Sequence, residues 1–170
     1  LGSVLGHVLM HQTINGNEAI MQMEMAGDYP DIIVGCTGGG SNLSGLMFPF
    51  LGQQLRGGQK IDIIGCEPLS CPSFTKGKYA YDHGDMARMT PLIKMHTLGS
   101  DFLPPANHSG GLRYHGMSYH LSHLYDLGLM RAKAYGQKDC FEAGVIFGKQ
   151  EGIIPAPEGN HAVKGAIDAA

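Results

Sequence analysis

A run of three glycines followed by two polar residues is the part of this sequence with the clearest chemistry. The run, Thr37–Asn42, follows a β-branched segment and opens a segment with helical apolar spacing. Three glycines let successive backbone N–H groups converge on one point, and the start of a helix adds about half a positive charge there. The sequence therefore predicts a site for one small phosphate group, held by Gly38, Gly39, Gly40, Ser41 and Asn42.

Two common nucleotide-binding patterns do not match this run. After Gly40 the next glycine is Gly45, so the dinucleotide pattern G-x-G-x-x-G is not met, and no Gly-Lys-Ser/Thr ending follows. A plainer interpretation is a strand-to-helix turn in which Ser41 caps the helix. We favour phosphate binding, because a cap needs one such residue and not three glycines before it.

Two charged residues are further candidates for a site. Glu158 opens a predicted helix, with His161 one turn later on the same face; alternatively, its carboxylate only stabilises the helix start. Arg113 lies within His108–Gly116 and carries five N–H donors that suit a carboxylate or a phosphate. The alternative for Arg113 is a surface role, in which it pairs with an acid such as Asp85 and holds its loop.

The histidines and cysteines do not form a recognisable metal site. The spacings of the clustered histidines match no common zinc pattern, and we predict no metal at His108, His115, His120 and His123. The cysteines likewise lack a second pair at zinc-ligand spacing. We predict four free thiols, and hence a reducing, cytoplasmic location, for Cys36, Cys66, Cys71 and Cys140.

The elements that must position the glycine run form a βαβ unit. Asp31–Cys36 and Ile61–Cys66 are short apolar runs typical of buried strands, and Ser41 to about Leu55 has helical spacing with Pro49 as a kink. A strand, a glycine turn, a helix and a second strand within about 35 residues predict a parallel sheet with a right-handed crossover. We therefore predict an α/β fold, a parallel twisted sheet with flanking helices, whose phosphate-binding unit spans about residues 31–66.

The remaining chain contains further predicted elements and one region without a clear pattern. Val4–Ala26 is helix-compatible, with a break at Asn15–Asn17 and a buried stripe of Ala19, Ile20, Met23 and Met25. Later elements are helices at Ser118–Leu127, Lys138–Gln150 and from Glu158 onward, and strands at Met130–Gln137 and Gly152–Ala156. Glu67–Gly116 shows no regular period, and so long a loop is typical of a functional segment.

The composition excludes several classes of protein. Twelve Lys and Arg against 15 Asp and Glu give a net charge of −3, which argues against a nucleic-acid-binding domain. The 43% hydrophobic and 16% charged residues argue against disorder, and the 26 glycines follow no collagen period. No apolar run reaches the roughly 18 residues of a membrane span. Because the chain starts with Leu1 and ends in a helix-compatible segment without a cap, we expect residues 1–170 to be one partial unit of a larger protein.

Beyond these patterns, the sequence resembles the tryptophan synthase β-chain family, and in particular its second, divergent subgroup. The resemblance is carried by DIIVGCTGGGSNLSGLMFPF and by further segments in the family's order, SVLGHVLMHQTINGNEA, EPLSCPSFTKGKYAYDHGD, TPLIKMHTLG, HSGGLRYHG and EGIIPAPEGNHAV. It implies a fold-type II pyridoxal 5'-phosphate enzyme, a lyase that joins serine to indole in tryptophan biosynthesis.

The resemblance also implies roles for individual residues. It assigns the cofactor phosphate to the residues of the glycine run, and it places Glu158 beside the cofactor ring. The main β-chain group has an Asp, which helps to handle the serine side chain, where this sequence has Arg113. Arg113 makes O-phosphoserine a candidate amino-acid donor alongside L-serine. Members of the family often bind a monovalent cation through backbone carbonyls near these loops, and such ligands leave no side-chain pattern.

The family's catalytic lysine has no counterpart in this chain. In the family that lysine follows a histidine in an N-terminal segment, and this context is absent around Lys60, Lys76, Lys78, Lys94, Lys133, Lys138, Lys149 and Lys164. We therefore predict that the 170 residues alone are inactive. For the full protein the resemblance implies a homodimer that takes indole from solution or from an α subunit. Two alternatives stay open: another fold-type II enzyme, such as a dehydratase or cysteine-synthase relative, and a non-enzymatic anion-binding domain.

Overall fold

The computed structural model describes residues 1–2 and 6–170, and its centre is a parallel sheet of three strands. The strands are β1 (Ile32–Cys36), β2 (Asp62–Pro68) and β5 (Arg131–Tyr135), in the order β1-β2-β5. The register places Cys36 beside Cys66 and Pro68 beside Tyr135, so the carboxyl ends of the strands share one edge. The predicted βαβ unit and the parallel sheet are confirmed.

Helices cover both faces of this sheet. Helix α3 (Ser41–Leu55) packs through Leu43, Met47 and Phe50 against the face that carries Ile33 and Ile63. Helices α5 (Gln137–Glu151) and α6 (Gly159–Ile167) cover the other face, where alternate strand residues such as Ile64 and Cys66 point. A Cβ at Gly165 of α6 would collide with the Cys66 sulfur and Val34, which shows how closely α6 approaches the strands.

The N-terminal helical region differs from the prediction. It consists of α1 (His7–His11) and α2 (Thr13–Ala26), and the interruption lies at Gln12 instead of Asn15–Asn17; Val4 falls outside the described residues. Helix α2 continues through Gly16. This residue lets α2 pack closely on α3, since a Cβ there would lie 2.8 Å from the Pro49 ring. The predicted buried stripe is wrong at Met25, which is 87% exposed.

Helix α4 (Tyr119–Asp126) and strand β5 lie where the sequence predicts them, but two other regions differ. The segment predicted as an irregular loop contains an antiparallel hairpin of β3 (Lys78–His83) and β4 (Leu92–Thr97). The predicted strand at Gly152–Ala156 does not form, since no described strand offers a partner and Ile154 is 92% exposed. All four cysteines are free and buried, as predicted. No described helix has the length and apolarity needed to cross a membrane.

Candidate functional site

The glycine turn, Thr37–Asn42, lies at the carboxyl end of β1 and leads directly into α3. The Gly39 carbonyl accepts a 2.9 Å hydrogen bond from the backbone N–H of Ser118, and the Gly40 carbonyl accepts bonds from both the backbone N–H and the hydroxyl of Ser44. In a trans peptide the following N–H points opposite to the carbonyl. The N–H groups of Gly40 and Ser41 are therefore turned away from these partners, and the Ser41 N–H points out of the N-terminal end of α3.

The glycines of this turn are also required by packing. Gly40 has φ +102°, a conformation that favours glycine, and a Cβ there would collide with Leu121 and lie 2.8 Å from the Met117 sulfur. A Cβ on Gly38 would lie 2.7 Å from the Gly111 carbonyl oxygen. The turn is thus clamped from one side by the chain around residues 111–121.

Ser41 and Asn42 occupy the first two positions of α3. The residue before the helix is Gly40 and no side-chain cap bond closes this helix start, so the alternative in which Ser41 serves as the N-cap is wrong. The side-chain amide of Asn42 donates to the Cys36 sulfur at 3.1 Å, which leaves its backbone N–H at the helix start. Burial raises the pKa of the Cys36 thiol, with Asn42 opposing and the nearby Glu158 carboxylate adding to the rise.

Glu158 lies at the start of α6 and binds a second loop, which we define as Pro104–Gly116. Its Oε1 accepts a 2.9 Å hydrogen bond from the backbone N–H of Gly111, a residue 47 positions away in the chain. Ser109 of the same loop donates to the Pro157 carbonyl at 3.3 Å. The structure therefore brings Glu158 together with the second loop, which itself packs on Gly38.

Arg113 lies on the exposed side of the second loop. Its Nε and Nη2 donate to the carbonyl oxygens of Pro105 and Pro104, at 3.0 and 2.6 Å, so two of its five N–H donors stabilise its own loop. The alternative partner, Asp85, instead accepts bonds from Met89 and Thr90. In the surface interpretation Arg113 pairs with an acid such as Asp85, and this is wrong, because its partners are backbone carbonyls of its own loop.

Two buried polar residues lie near the strand ends: His161, which the sequence places one turn after Glu158, and Glu67, which the sequence did not single out. His161 is 2% exposed, and its Nδ1 faces the carbonyls of Pro157 and Glu158, so Nδ1 carries the proton; burial lowers its pKa. Glu67, at the end of β2, is fully buried and accepts bonds from Phe74 and Thr75; its burial raises its pKa. The only sequence signal for Glu67 is a polar residue at the end of an apolar run.

Two cavities lie apart from the glycine turn. One of about 690 Å³ is an open apolar groove along α5, lined by Phe141, Val145 and Ile146. A smaller one of about 180 Å³ lies beside the second loop, between Ser109, Gln137 and His161. Within residues 1–2 and 6–170, no three His, Cys, Asp or Glu side chains are placed to hold a metal ion.

The arrangement of strand, glycine turn, helix and second loop is that of a fold-type II pyridoxal-phosphate enzyme. Residues 8–170 match the family of pyridoxal-phosphate-dependent enzymes, and the chain belongs to this family. Over 94% of its length the chain superposes on half of the crystal structure of a threonine deaminase from T.th., with a TM-score of 0.69 and 15% identity. At that identity the similarity concerns the fold alone.

Among curated proteins the chain is similar to tryptophan synthase β chains. It is 56% identical to tryptophan synthase beta chain 2 of Aquifex aeolicus and 54% identical to that of Methanosarcina mazei, over its whole length in both cases. The protein of the same name from Thermotoga maritima is 55% identical over 98% of the chain. The chain spans only 40%, 38% and 39% of these relatives. The resemblance stated from the sequence is confirmed.

Proposed function

We propose that the protein to which this chain belongs condenses indole with L-serine or O-phosphoserine to form L-tryptophan. The observation that carries the proposal is the identity of 52–56% to tryptophan synthase β chains along the whole chain. The chain spans about 40% of these relatives, so the activity belongs to the full-length protein. We further propose that this protein acts as a homodimer in the cytoplasm and that residues 1–170 form one structural unit of it.

The glycine turn fits the phosphate group of pyridoxal phosphate. The Ser41 N–H points out of the start of α3, where the helix dipole favours a dianion, and the Ser41 hydroxyl adds a donor. We assign the phosphate to Gly38, Gly39, Gly40, Ser41 and Asn42, with Asn42 acting through its backbone. When bound, the cofactor supplies an electron sink for the carbanion at the amino acid's Cα.

We propose that Glu158 and Arg113 serve the reacting side of the site. Glu158 belongs beside the cofactor ring, where its bond to Gly111 also holds the second loop in place. Arg113 belongs at the entrance, where the three N–H donors that are not directed at Pro104 and Pro105 recognise the anionic group of the amino-acid donor. No carboxylate partner is needed for this role, since a guanidinium is always charged.

The activity is tested on purified full-length protein supplied with pyridoxal phosphate, indole and either donor, with tryptophan measured by chromatography. Tryptophan formation is expected from the full-length protein and not from the 170 residues alone, which lack a lysine in the family's context. Deamination of serine or threonine without tryptophan would instead support a dehydratase. A full-length protein that binds no cofactor would support the anion-binding domain.

The phosphate assignment predicts a loss of cofactor affinity in Ser41→Ala. One donor to a dianion contributes about 1.5–3 kcal/mol, so we expect cofactor binding at least roughly tenfold weaker. The measurement is equilibrium titration of the full-length apoprotein with the cofactor. Ser70→Ala is the matched control, because the Ser70 hydroxyl binds Asn107 in the second loop. Equal affinities in both variants would contradict the assignment.

The role of Arg113 predicts a change of donor in Arg113→Asp. A carboxylate at this position repels a phosphate ester, so we expect the ratio of kcat/KM for O-phosphoserine over L-serine to fall by about tenfold or more. Arg88→Asp is the matched control, since Arg88 is an exposed arginine paired with Asp101 on the hairpin side. If both donors lose the same factor, Arg113 only holds the second loop.

A further inference from the structure

The glycine turn and the second loop fit together at Gly38 without room for a side chain. A Cβ on Gly38 would lie 2.7 Å from the Gly111 carbonyl oxygen, 2.8 Å from the Leu112 Cα and 2.8 Å from Cδ2 of the Tyr114 ring. Two of these three neighbours are backbone atoms, and Tyr114 is the only side chain among them. The position of Gly38 is therefore limited on one side by the edge of the Tyr114 ring.

The segment that follows the second loop fixes the peptide between Gly39 and Gly40. The Ser118 N–H binds the Gly39 carbonyl at 2.9 Å, and this bond sets the plane of the peptide that carries the Gly40 N–H. The chain between residues 111 and 118 thus contacts the glycine turn at both Gly38 and Gly39. A displacement of this segment would therefore tilt the peptide that carries the Gly40 N–H.

We propose that Tyr114 is a positioning residue for the cofactor phosphate, acting through Gly38. The inference rests on the phosphate site proposed above and goes beyond it, since Tyr114 acts on the phosphate only through the position of Gly38. Its ring edge holds Gly38 in place, so that the first N–H groups of the turn stay aligned with those of α3. A phosphate bound there requires several donors to converge on one point, and each misaligned donor weakens phosphate binding.

The local backbone does not depend on the Tyr114 ring. The residues after Tyr114 are held by a 2.7 Å bond from the Leu98 N–H to the His115 carbonyl and a 2.9 Å bond from the Met117 N–H to the His96 carbonyl. The residues before it are held by the Glu158 bond to Gly111. Truncation of the half-buried ring therefore frees Gly38 without releasing the second loop.

The test compares Tyr114→Ala with Tyr114→Phe in the full-length protein. Cofactor affinity is measured by titration of the apoprotein, and the ³¹P NMR signal of the bound cofactor reports the surroundings of its phosphate. For Tyr114→Ala we expect cofactor binding about threefold to thirtyfold weaker and a shifted ³¹P signal. Tyr114→Phe keeps the ring carbon that faces Gly38, so both readouts should return to those of the parent protein. Tyr81→Ala, at a hairpin tyrosine that is 70% exposed, is the matched control.

The outcomes separate this inference from the phosphate assignment. A ³¹P signal and an affinity that Tyr114→Ala leaves unchanged, while Ser41→Ala weakens binding, would overturn the role of Tyr114 alone. A lower melting temperature of the Tyr114→Ala apoprotein with an unchanged ³¹P signal would likewise make Tyr114 a packing residue. If neither Ser41→Ala nor Tyr114→Ala changes cofactor affinity, the phosphate assignment itself is wrong.

Discussion

The glycine turn and the second loop form two sides of one candidate site, but they are held in different ways. The turn is held largely by hydrogen bonds within its own βαβ unit, from the Thr37 N–H to the Cys66 carbonyl and from Ser44 to the Gly40 carbonyl, and by one bond from the Ser118 N–H to the Gly39 carbonyl. The second loop is held by separate bonds to distant residues, such as Ser109 to Pro157 and Gly111 to Glu158. Much of the loop is exposed, whereas half of the turn's residues are buried and only Asn42 is exposed.

This difference indicates how stability is distributed over the site. A turn fixed mainly by a strand end and a helix start opens at a higher free energy than a loop fixed by a few exposed hydrogen bonds. We therefore infer that the proposed phosphate side is the more rigid one, while the side that carries Arg113 is the adjustable one.

The comparison is tested most strongly at Gly40. In Gly40→Ala the added Cβ collides with Leu121 and the residue keeps a φ of +102°, so we expect a loss of about 3 kcal/mol in the free energy of unfolding. Gly57→Ala is the matched control, because Gly57 has φ +93° and open space around it. Chemical denaturation of the full-length variants measures both. An equal loss in the two variants would mean that backbone strain alone, and not packing of the turn, restricts Gly40.

The dependence of stability on pH tests the burial of His161 at the start of α6, where Glu158 holds the second loop. Burial holds the pKa of His161 below its usual value of about 6.5, so the unfolded chain takes up this proton before the folded chain does. The free energy of unfolding should therefore fall as the pH drops below about 6.5, by at most about 1.4 kcal/mol per pH unit for this histidine. Between about pH 5 and 8, the free energy of unfolding measured by denaturation should depend less steeply on pH in His161→Gln than in a variant of the exposed His11. Part of the pH dependence should remain in His161→Gln, because burial also lowers the pKa values of His96 and His120.

A smaller effect is expected for the bond between the second loop and α6. Glu158→Gln keeps an oxygen that can accept from the Gly111 N–H but loses the charge, which weakens the bond by roughly 1 kcal/mol. Amide hydrogen exchange at Gly111 should become several-fold faster, while exchange at Ser44 in the glycine turn stays the same. Glu151→Gln, at an exposed glutamate that ends α5, is the control. Faster exchange at both loops would show that they open as one unit.

The sequence predicted some elements closely and missed others for physical reasons. The bounds of α3 and the positions of β1 and β2 were predictable because apolar periodicity and the glycine turn are local signals. The hairpin of β3 and β4 was not predictable, since it is half-exposed and stabilised by cross-strand pairs such as Tyr79 with His96 and by Lys94 over the Tyr79 ring. Met25 follows the apolar period of α2 and is nevertheless exposed, because periodicity gives a face of a helix but not what covers it.

For the candidate site, the sequence alone determined the residue types, the glycine turn and the family. The glycine turn follows from neighbouring residues, whose sterics and hydrogen-bonding groups act within one strand, one turn and one helix start. The family follows from sequence segments along the chain. Only the tertiary structure decided that Gly38 faces Tyr114, that Glu158 binds Gly111 and that Arg113 binds the carbonyls of Pro104 and Pro105. The first two contacts join residues 76 and 47 positions apart. No periodic pattern encodes such pairs, because they depend on how α6 and the second loop are placed over the carboxyl ends of the strands.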